Sequence, residues 1–385
     1  MNPARFCAMA LVALAIPMYA ATNLIFIHHS VGQNWLDVGQ LSSRLDAAGF
    51  AVHEATYGSP VPGTSPLSPI GDYTDICHWY YWFNNHLEGV LGWQCTPGES
   101  NMIVMFKSCF PNSVIYEDGS APGDPTNEYH TLWNDKAAYL SLTNAFALNS
   151  SVMFIAYTAP PCKPGDGYEE ANAPRGRTFN DWLRTDFVTN YYAATGLRNL
   201  AVFDVHDVLA SSRLLKKKAS ALAPRLASRD SHPNPKGSRE LTGSFLPFFR
   251  NALGFWASGE GATNAILKGA TAKYKAAKGS LQLSGWADSI GAGMPGTARI
   301  IVAGTVVQTF DAATWRAQGT GYKAVAAAPN GKTAMLKLGN KDIKTISFKG
   351  YAAGPLPDPA PVIIDLGNGQ VFALDLLLDE KGMFP

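Results

Sequence analysis

The sequence predicts a three-layer, doubly wound α/β domain over residues 21–258 and an all-β, sandwich-like accessory domain over residues 264–385. Two features predict the first domain: short uninterrupted apolar runs, typical of parallel strands covered on both faces, alternate with segments of helical period. The second domain is predicted by a change of character at residues 258–261. After this Ser- and Gly-containing junction, Gly, Pro and Asn-Gly pairs separate the apolar runs.

The α/β domain is predicted to contain a flavodoxin-like parallel sheet of about five strands. Its strands are expected at residues 23–29, 50–57, 101–107, 151–156 and 199–204. Its helices are expected at residues 34–48, 131–147, 178–194 and 236–256. In sheets of this class ligands bind at the carboxyl ends of the strands. Residues that directly follow a strand are therefore the first candidates for chemistry.

A long insertion at residues 58–100 interrupts the alternation between the second and third strands. It is rich in Pro and Gly at first and then strongly aromatic, with Trp79 and Trp82 in the run at 78–83. Long insertions at strand ends are commonly lids or binding loops, so these rings are candidate substrate-binding residues that stack on sugars or line an acyl pocket. The alternative is a satellite core beneath a loop.

The accessory domain is predicted to contain short strands separated by turns. The candidate strands lie at residues 279–285, 299–302, 333–338, 344–348, 361–366 and 370–377. Residues 261–385 carry 13 basic and 8 acidic side chains, whereas residues 1–260 carry 18 basic and 22 acidic ones. All eight His and all five Cys lie in the first part, which is where chemistry is expected.

Composition excludes several classes of protein. In the 385 residues, 46% hydrophobic and only 16% charged content excludes a disordered chain. A formal net charge of +1 gives no electrostatic reason to expect a nucleic-acid partner. The N-terminal apolar run of residues 6–16 is shorter than the roughly 20 residues that a bilayer requires, and no later stretch is long and apolar enough, so we expect no membrane span.

The N-terminus has the order of a signal peptide at residues 1–20. Arg5 provides the positive start, residues 6–16 the apolar stretch, and residues 18–20 (Met-Tyr-Ala) a small-residue cleavage site. We therefore expect a secreted or periplasmic protein.

Two segments place a serine and a histidine where nucleophilic chemistry needs them. Ser30 follows the first predicted strand directly and precedes a helix, so it lies at the carboxyl edge of the sheet. His232 lies in a Pro-rich loop just before the last helix, two residues after Asp230. A serine becomes a nucleophile when a base takes its proton, and a carboxylate can hold the other ring nitrogen of that base.

This arrangement resembles the SGNH/GDSL hydrolase family over about residues 23–256. The resemblance implies that Ser30 is the nucleophile, His232 the base and Asp230 the orienting acid, with no cofactor and no metal. It further implies an oxyanion hole formed by the Ser30 amide, Gly58 after the second strand and Asn112 after the third. A small-molecule or carbohydrate ester is the implied substrate.

Three features depart from the family pattern. His28 and His29 stand where the family has Gly-Asp, and Arg229 stands where it has the acid, three residues before the base histidine. The block after the third strand lacks the usual Gly-x-Asn-Asp. His29 is a candidate substrate-binding residue, and hydrogen bonding beneath the active site is its alternative role. Alternatively, one of the two histidines could join Asp204, His206 and His232 in a hydrolytic zinc site.

Four cysteines remain after the predicted cleavage: Cys77, Cys95, Cys109 and Cys162. An even number in an exported protein predicts two disulfides, and three pairings are possible. In the fold implied above, Cys109 and Cys162 follow neighbouring strands, which favours a bridge between them and leaves Cys77 to pair with Cys95.

The sequence thus predicts an exported serine esterase of SGNH type, with an acyl group on a polysaccharide as one candidate substrate. The alternative is a non-catalytic secreted carbohydrate-binding or adhesion protein, in which a degenerate hydrolase scaffold carries a binding β domain.

Overall fold

The computed structural model of the protein describes residues 21–166, 172–210, 221–223, 226–258, 264–266, 268–275, 278–287, 290, 294–340, 344–352, 356–368 and 370–377. The predicted signal peptide at residues 1–20 lies outside the described residues. No helix in the described ranges has the length and apolar character needed to cross a bilayer.

The first domain is built on a parallel sheet. Its strands are β1 (Thr22–Ile27), β2 (Phe50–Ala55), β3 (Ile103–Phe106), β4 (Met153–Tyr157) and β5 (Leu200–Phe203). They pair in the order β2-β1-β3-β4-β5, with Ile27 opposite both Ala55 and Phe106. This is the flavodoxin-like order, which confirms the predicted fold class.

Helices cover both faces of the sheet. They are α1 (Ser30–Leu36), α2 (Leu41–Ala47), α3 (Trp79–Asn84), α4 (Leu87–Gly92), α5 (Leu132–Leu140), α6 (Thr143–Leu148), α7 (Asn172–Trp182), α8 (Val188–Thr195), α9 (Val205–Leu209) and α10 (Pro235–Ser258). A π-helical turn, Leu183–Phe187, joins α7 to α8.

The helix expected at 34–48 is instead two helices, and the first begins earlier, at Ser30. The break between them lies where α10 comes close to the chain. A Cβ on Gly39 would lie 2.4 Å from the carbonyl oxygen of Trp35 and 2.9 Å from that of Ser238 in α10. Gln40 then takes a left-handed conformation with φ of 60°. The chain turns here because α10 packs against Gly39.

The aromatic insertion is part of the core. Trp79 and Trp82 are both fully buried, and the Trp79 ring packs edge-on against Phe106 of β3 at 5.2 Å. The Trp82 indole donates its N–H to the carbonyl of Tyr73 at 2.6 Å. The prediction that these two rings bind substrate is wrong, because the insertion covers one face of the sheet and needs them as its apolar interior.

The second domain consists of two sheets around a common apolar core, as the sandwich prediction requires. Its strands are β6 (Asn264–Ile266), β7 (Lys268–Lys275), β8 (Ser280–Ala287), β9 (Ala298–Val302), β10 (Thr305–Phe310), β11 (Arg316–Gln318), β12 (Gly321–Ala327), β13 (Thr333–Asn340), β14 (Lys344–Tyr351), β15 (Ala360–Asp365) and β16 (Val371–Leu376). One sheet has the order β10-β9-β15-β16-β6 and the other β11-β12-β13-β14-β8-β7. Leu281, Leu336 and Ile346 from the larger sheet share one core with Ile300 and Val362 from the smaller.

The two domains meet along α10. Arg250 of this helix pairs with Asp375 of β16 through two hydrogen bonds of 2.9 and 3.0 Å. Gly243 lets the strand come close, since a Cβ there would lie 2.5 Å from the carbonyl oxygen of Asp375. Leu377, just past β16, joins the apolar core of the first domain. All residues of β16 are buried, because α10 covers one face of this strand and the larger sheet the other.

The four described cysteines are free thiols, which contradicts both predicted disulfides. The Cys109 Sγ lies 3.4 Å from the Ser30 hydroxyl, while the Cys162 Sγ donates to the carbonyl of Phe110 at 3.1 Å. Cys95 contacts the carbonyl of Leu91 at 3.7 Å, whereas Cys77 is buried in a separate turn. Neighbouring strands bring the chain segments together, but the loops that follow them direct the thiols to different partners.

Candidate active site

Ser30 is the first residue of α1 and lies at the carboxyl end of β1. Since β1 lies between β2 and β3 and the chain continues outward in opposite directions from these strands, Ser30 occupies the topological switch point of the sheet. Its hydroxyl Oγ lies 2.7 Å from Nε2 of His232. The fold thus brings together two residues that are 202 positions apart in the sequence.

Asp230 holds the other side of the His232 ring. Its Oδ2 lies 2.9 Å from Nδ1 of His232, and its Oδ1 accepts the His232 backbone N–H at 3.0 Å and the Ser228 hydroxyl at 2.8 Å. The His232 amide, the Ser228 hydroxyl and the His232 ring hold the pKa of Asp230 well below its ordinary value. The carboxylate is therefore ionised near neutral pH.

The spacing of two residues between acid and base has a local explanation. A carboxylate that accepts the backbone N–H two residues later forms an Asx turn, and here the same turn places the second oxygen against the ring of His232. Asp230 thus reaches His232 from a position one residue later than the family pattern has it.

The loop that carries His232 is fixed at both ends. Ser228 donates its backbone N–H to the His232 carbonyl at 2.9 Å, and Asn234 Oδ1 accepts the N–H of Gly237 at 2.9 Å, which caps the first turn of α10. The Phe110 ring contacts His232 edge-on at 5.0 Å. These contacts limit the positions that the imidazole can take.

Asn112 lies in the short turn Phe110–Ser113 that follows β3, next to the Cys109 thiol that contacts Ser30. Its side-chain oxygen accepts the N–H of Ile76 at 2.9 Å, and its Nδ2 donates to Asp75 at 2.6 Å. These bonds fix the orientation of a side chain that is only 3% exposed. An amide NH₂ has two hydrogens, so one donor is left after the bond to Asp75.

Gly58 does not fit the predicted oxyanion role. It lies in the turn after β2 with φ of 74°, and its backbone N–H donates to Asp72 Oδ1 at 2.7 Å. The Asp72 carboxylate therefore binds the Gly58 backbone N–H, which the resemblance assigned to the oxyanion hole. The sequence prediction failed because Asp72 comes from the insertion, whose path could not be predicted.

The two histidines before Ser30 have different surroundings. His28 is fully buried, with Nε2 3.2 Å from Glu54. His29 Nε2 bonds to the carbonyl of Gly71 at 2.7 Å, and its ring stacks on Tyr57 with the centroids 3.7 Å apart. Burial lowers the pKa of His29. The His29 ring is therefore held in place beneath Tyr57. The Tyr57 side chain lies on the surface, with 59% of the residue accessible.

Tyr57 was not among the candidates from the sequence. A signal was present, because Tyr57 lies two residues after the end of β2 and hence at the same carboxyl edge as Ser30. The more numerous aromatic residues of the insertion were chosen instead, and these are buried.

The alternative zinc site finds no support in the described residues, where no three His, Cys, Asp or Glu side chains converge as metal ligands would. Asp204 caps α9 through the N–H of Asp207 at 3.0 Å and also accepts from Thr158. The Nδ1 of His206 lies 3.5 Å from Oδ1 of Asp207. These residues hold the end of β5 and the start of α9.

A further charged residue at this edge of the sheet was also missed. Lys107 ends the third apolar run and is 1% exposed, with its Nζ 2.6 Å from the carbonyl oxygen of Ser108. Complete burial lowers its pKa to about 8. A lysine at the end of an apolar strand is expected to reach solvent, so its burial could not be predicted from the sequence.

Comparison with known proteins gives structural likeness without sequence likeness. No protein-family model and no curated protein sequence matches the chain. A gut microbial diltiazem-metabolizing enzyme is similar to it with 13% identity and a TM-score of 0.36, over 77% of this chain and 71% of that one. A Streptococcus pneumonia protein described as a candidate platelet activating factor is similar with 9% identity and a TM-score of 0.33, over 61% of this chain and 86% of that one.

Proposed function

We propose that the protein is a serine hydrolase of SGNH type that cleaves carboxylic esters, with Ser30, His232 and Asp230 as its catalytic residues. The observation that carries the proposal is the continuous chain of contacts from the Ser30 hydroxyl to His232 at 2.7 Å and on to Asp230 at 2.9 Å. A nucleophile in contact with a base, and a base oriented by a carboxylate, is the arrangement that acyl transfer requires.

The reaction proceeds in two stages. As the Ser30 Oγ attacks the ester carbonyl, its proton passes to Nε2 of His232, and Asp230 stabilises the imidazolium that forms. The tetrahedral intermediate then expels the alcohol, which takes the proton from His232, and the acyl group stays on Ser30. A water molecule gives its proton to His232 and attacks this acyl-enzyme, which releases the acid and returns the proton to Ser30.

Two donors are available for the oxyanion. The Ser30 backbone N–H lies at the start of α1, where helix geometry leaves the first amides without helical acceptors. The second Nδ2 hydrogen of Asn112 is the other donor, and the bonds to Ile76 and Asp75 fix its direction before substrate binds. With Gly58 engaged elsewhere, this proposal relies on two donors rather than three.

The exposed ring of Tyr57 supports a substrate class. It stacks on His29, the residue before Ser30, and so provides a flat apolar surface for substrate near the nucleophile. Such a surface suits a small acyl ester or an acyl group on a sugar. Export through the predicted signal peptide would bring the enzyme into contact with extracellular or periplasmic polysaccharides.

Turnover of p-nitrophenyl acetate by the wild type and by Ser30→Ala tests the proposal. We expect the substitution to lower kcat by at least about a thousandfold, because the nucleophile is lost while binding contacts remain. Equal rates would rule out Ser30 as the nucleophile.

Labelling by a fluorophosphonate separates this function from the alternative of a secreted carbohydrate-binding or adhesion protein. An active hydrolase is labelled at Ser30, and Ser30→Ala is not labelled. Absence of label on the folded wild type, together with glycan binding, would favour the binding protein.

A further inference from the structure

The outer face of the larger sheet of the C-terminal domain carries exposed side chains such as Gln282, Thr345 and Lys349, while α9 and α10 contact this sheet at its edge strand β7. In the smaller sheet, β16 is packed on both sides, by α10 and by the sandwich core. The larger sheet points its alternate residues, such as Leu281, Leu336 and Ile346, into that core. The residues between them point away from it.

This outward face is positively charged. The strands β7, β8 and β11 to β14 contain no Asp or Glu, while lysines recur in them. Lys273 and Lys349 are exposed, and Lys323 and Lys337 are half-buried at outward positions. We refer to these four lysines as the lysine face.

The strand register arranges the lysine face around a polar groove. Lys349 lies opposite Gln282, and Gln282 lies opposite Lys273 on the next strand. In the adjacent row Lys337 lies opposite Ser347. The groove between Lys273 and Lys349 has a volume of about 350 Å³. Besides these two lysines, it is lined by the polar side chains of Gln282, Ser284 and Ser347 and by apolar residues that include Met335.

Opposed like charges on the neighbouring strands add to the positive potential beside the groove. Lys323 lies directly opposite Lys337 on one side and Arg316 on the other. Like charges at opposed positions of neighbouring strands destabilise a sheet. None of the four lysines has a carboxylate within ion-pair distance among the described residues. An anionic ligand would remove this repulsion.

We propose that the lysine face binds a linear polysaccharide that carries carboxylate groups. Lys349 and Lys273 are two strands apart, about 10 Å, which lets them contact successive carboxylates along an extended chain. Gln282 and Ser347 between them supply the amide and hydroxyl groups that sugar hydroxyls bind.

One observation favours this ligand over a single-stranded nucleic acid. The aromatic side chain at the groove, Phe348, is 2% exposed and so offers no ring on which a base could stack. The proposal does not depend on the hydrolase activity, because the face belongs to the other domain.

Binding of the full chain to polygalacturonate, with neutral dextran as the comparison, tests the proposal by isothermal titration calorimetry. We expect the wild type to bind polygalacturonate but not dextran, and increasing salt to weaken the binding. Lys273→Gln/Lys349→Gln should weaken it by about two- to thirtyfold, the loss expected for two exposed ion pairs.

The matched control is Lys278→Gln/Lys332→Gln, which removes the same charge from exposed residues outside the groove. It should bind like the wild type, and both double variants should keep the wild-type melting temperature and p-nitrophenyl acetate turnover. Equal weakening by both pairs, or equal binding of dextran, would overturn the proposal. So would tighter binding to single-stranded DNA or to phosphatidylserine vesicles than to polygalacturonate.

Discussion

Asp230 binds both the backbone and the ring of His232 through one carboxylate. Ser228 adds a third bond to this carboxylate. The position of the His232 ring and the negative charge beside it are thus both determined by residues 228–232. Since this turn is local, the sequence contained enough information to predict the acid even though Arg229 occupies the usual place.

We expect Asp230→Asn to lower kcat for p-nitrophenyl acetate by about a hundredfold to ten-thousandfold, because the neutral amide no longer stabilises the imidazolium of His232. Ser228→Ala is the control, since it removes a bond to Oδ1 but leaves both contacts to His232. It should cost less than about tenfold, the effect of one exposed hydrogen bond. If the two variants lose the same activity, Asp230 does not act on the base.

Lys107 gives a prediction about stability. Its pKa in the folded state is about 8, below the ordinary value of 10.5, because burial disfavours the ammonium group. Between these pH values the unfolded chain binds a proton that the folded chain does not, so stability rises with pH across this window. Below about pH 8 both states are protonated and the cost of burial is fully present.

Lys107→Met should remove this dependence. Relative to the variant, the wild type should gain stability from pH 7.5 to pH 10, by up to about 3 kcal/mol, since one pKa unit corresponds to about 1.4 kcal/mol. Urea unfolding of both proteins at the two pH values measures the difference. A difference that stays constant with pH would contradict the assignment.

Among single residues, Ser30 and His232 could be predicted because position relative to strands and helices is a local property. Gly58, Trp79 and Trp82 could not. Their roles depend on the path of the insertion, which buries both indoles and directs the Asp72 carboxylate to the Gly58 amide. Exposure of a ring is decided by the elements that pack on it, and these are distant in the sequence.

At the scale of elements, the strands of the parallel sheet were predicted more closely than the helices. The strands β1, β3, β4 and β5 are largely buried apolar runs whose identity depends on their own residues, while the edge strand β2 is mostly half-buried. In the second domain six strands were predicted and eleven are present among the described residues, because β6, β7, β10, β11 and β12 lack a distinctive apolar run. The break between α1 and α2 instead depends on Ser238 of α10, about two hundred residues later, which approaches Gly39. A local pattern of apolar residues cannot report such a contact.

We therefore expect Gly39→Ala to lower the free energy of unfolding by about 1–3 kcal/mol, the range for an overpacked site, because backbone atoms of both helices must move. Gly254→Ala is the matched control: it lies in α10, and a Cβ there meets no atom within 4 Å. It should be neutral or stabilising by up to about 1 kcal/mol, the helix preference for Ala over Gly. Thermal or urea unfolding compares them, and equal destabilisation would contradict the role of Gly39.

At the scale of the whole molecule, the contact between the domains centres on a buried carboxylate. The Asp375 side chain is 1% exposed, and its two oxygens are paired with Arg250, whose own side chain is 55% exposed. The sequence predicted two domains of unlike charge but not their contact, because Arg250 and Asp375 look like ordinary surface residues in their own segments.

Arg250→Met should lower the free energy of unfolding by about 1–3 kcal/mol, because it leaves the Asp375 carboxylate without its partner at a contact that water can partly reach. The double variant Arg250→Met/Asp375→Asn should recover most of this loss, since no charge then remains at the contact. Differential scanning calorimetry of both variants provides the measurement. A double variant no more stable than the single one would show that packing, and not the charge, holds the contact.

Helix α10 has a consequence for how this protein can be divided. Its first turn is capped by Asn234, two residues after the base His232, and further along it carries Gly243 and Arg250, which receive β16. One helix therefore holds the loop of the proposed catalytic histidine at one end and contacts the C-terminal domain in its middle. Cutting the chain at residues 258–261 would remove β16 from the helix that holds the His232 loop. The C-terminal domain is consequently not an interchangeable module, and recombination that exchanges it would have to exchange the matching surface of α10 as well.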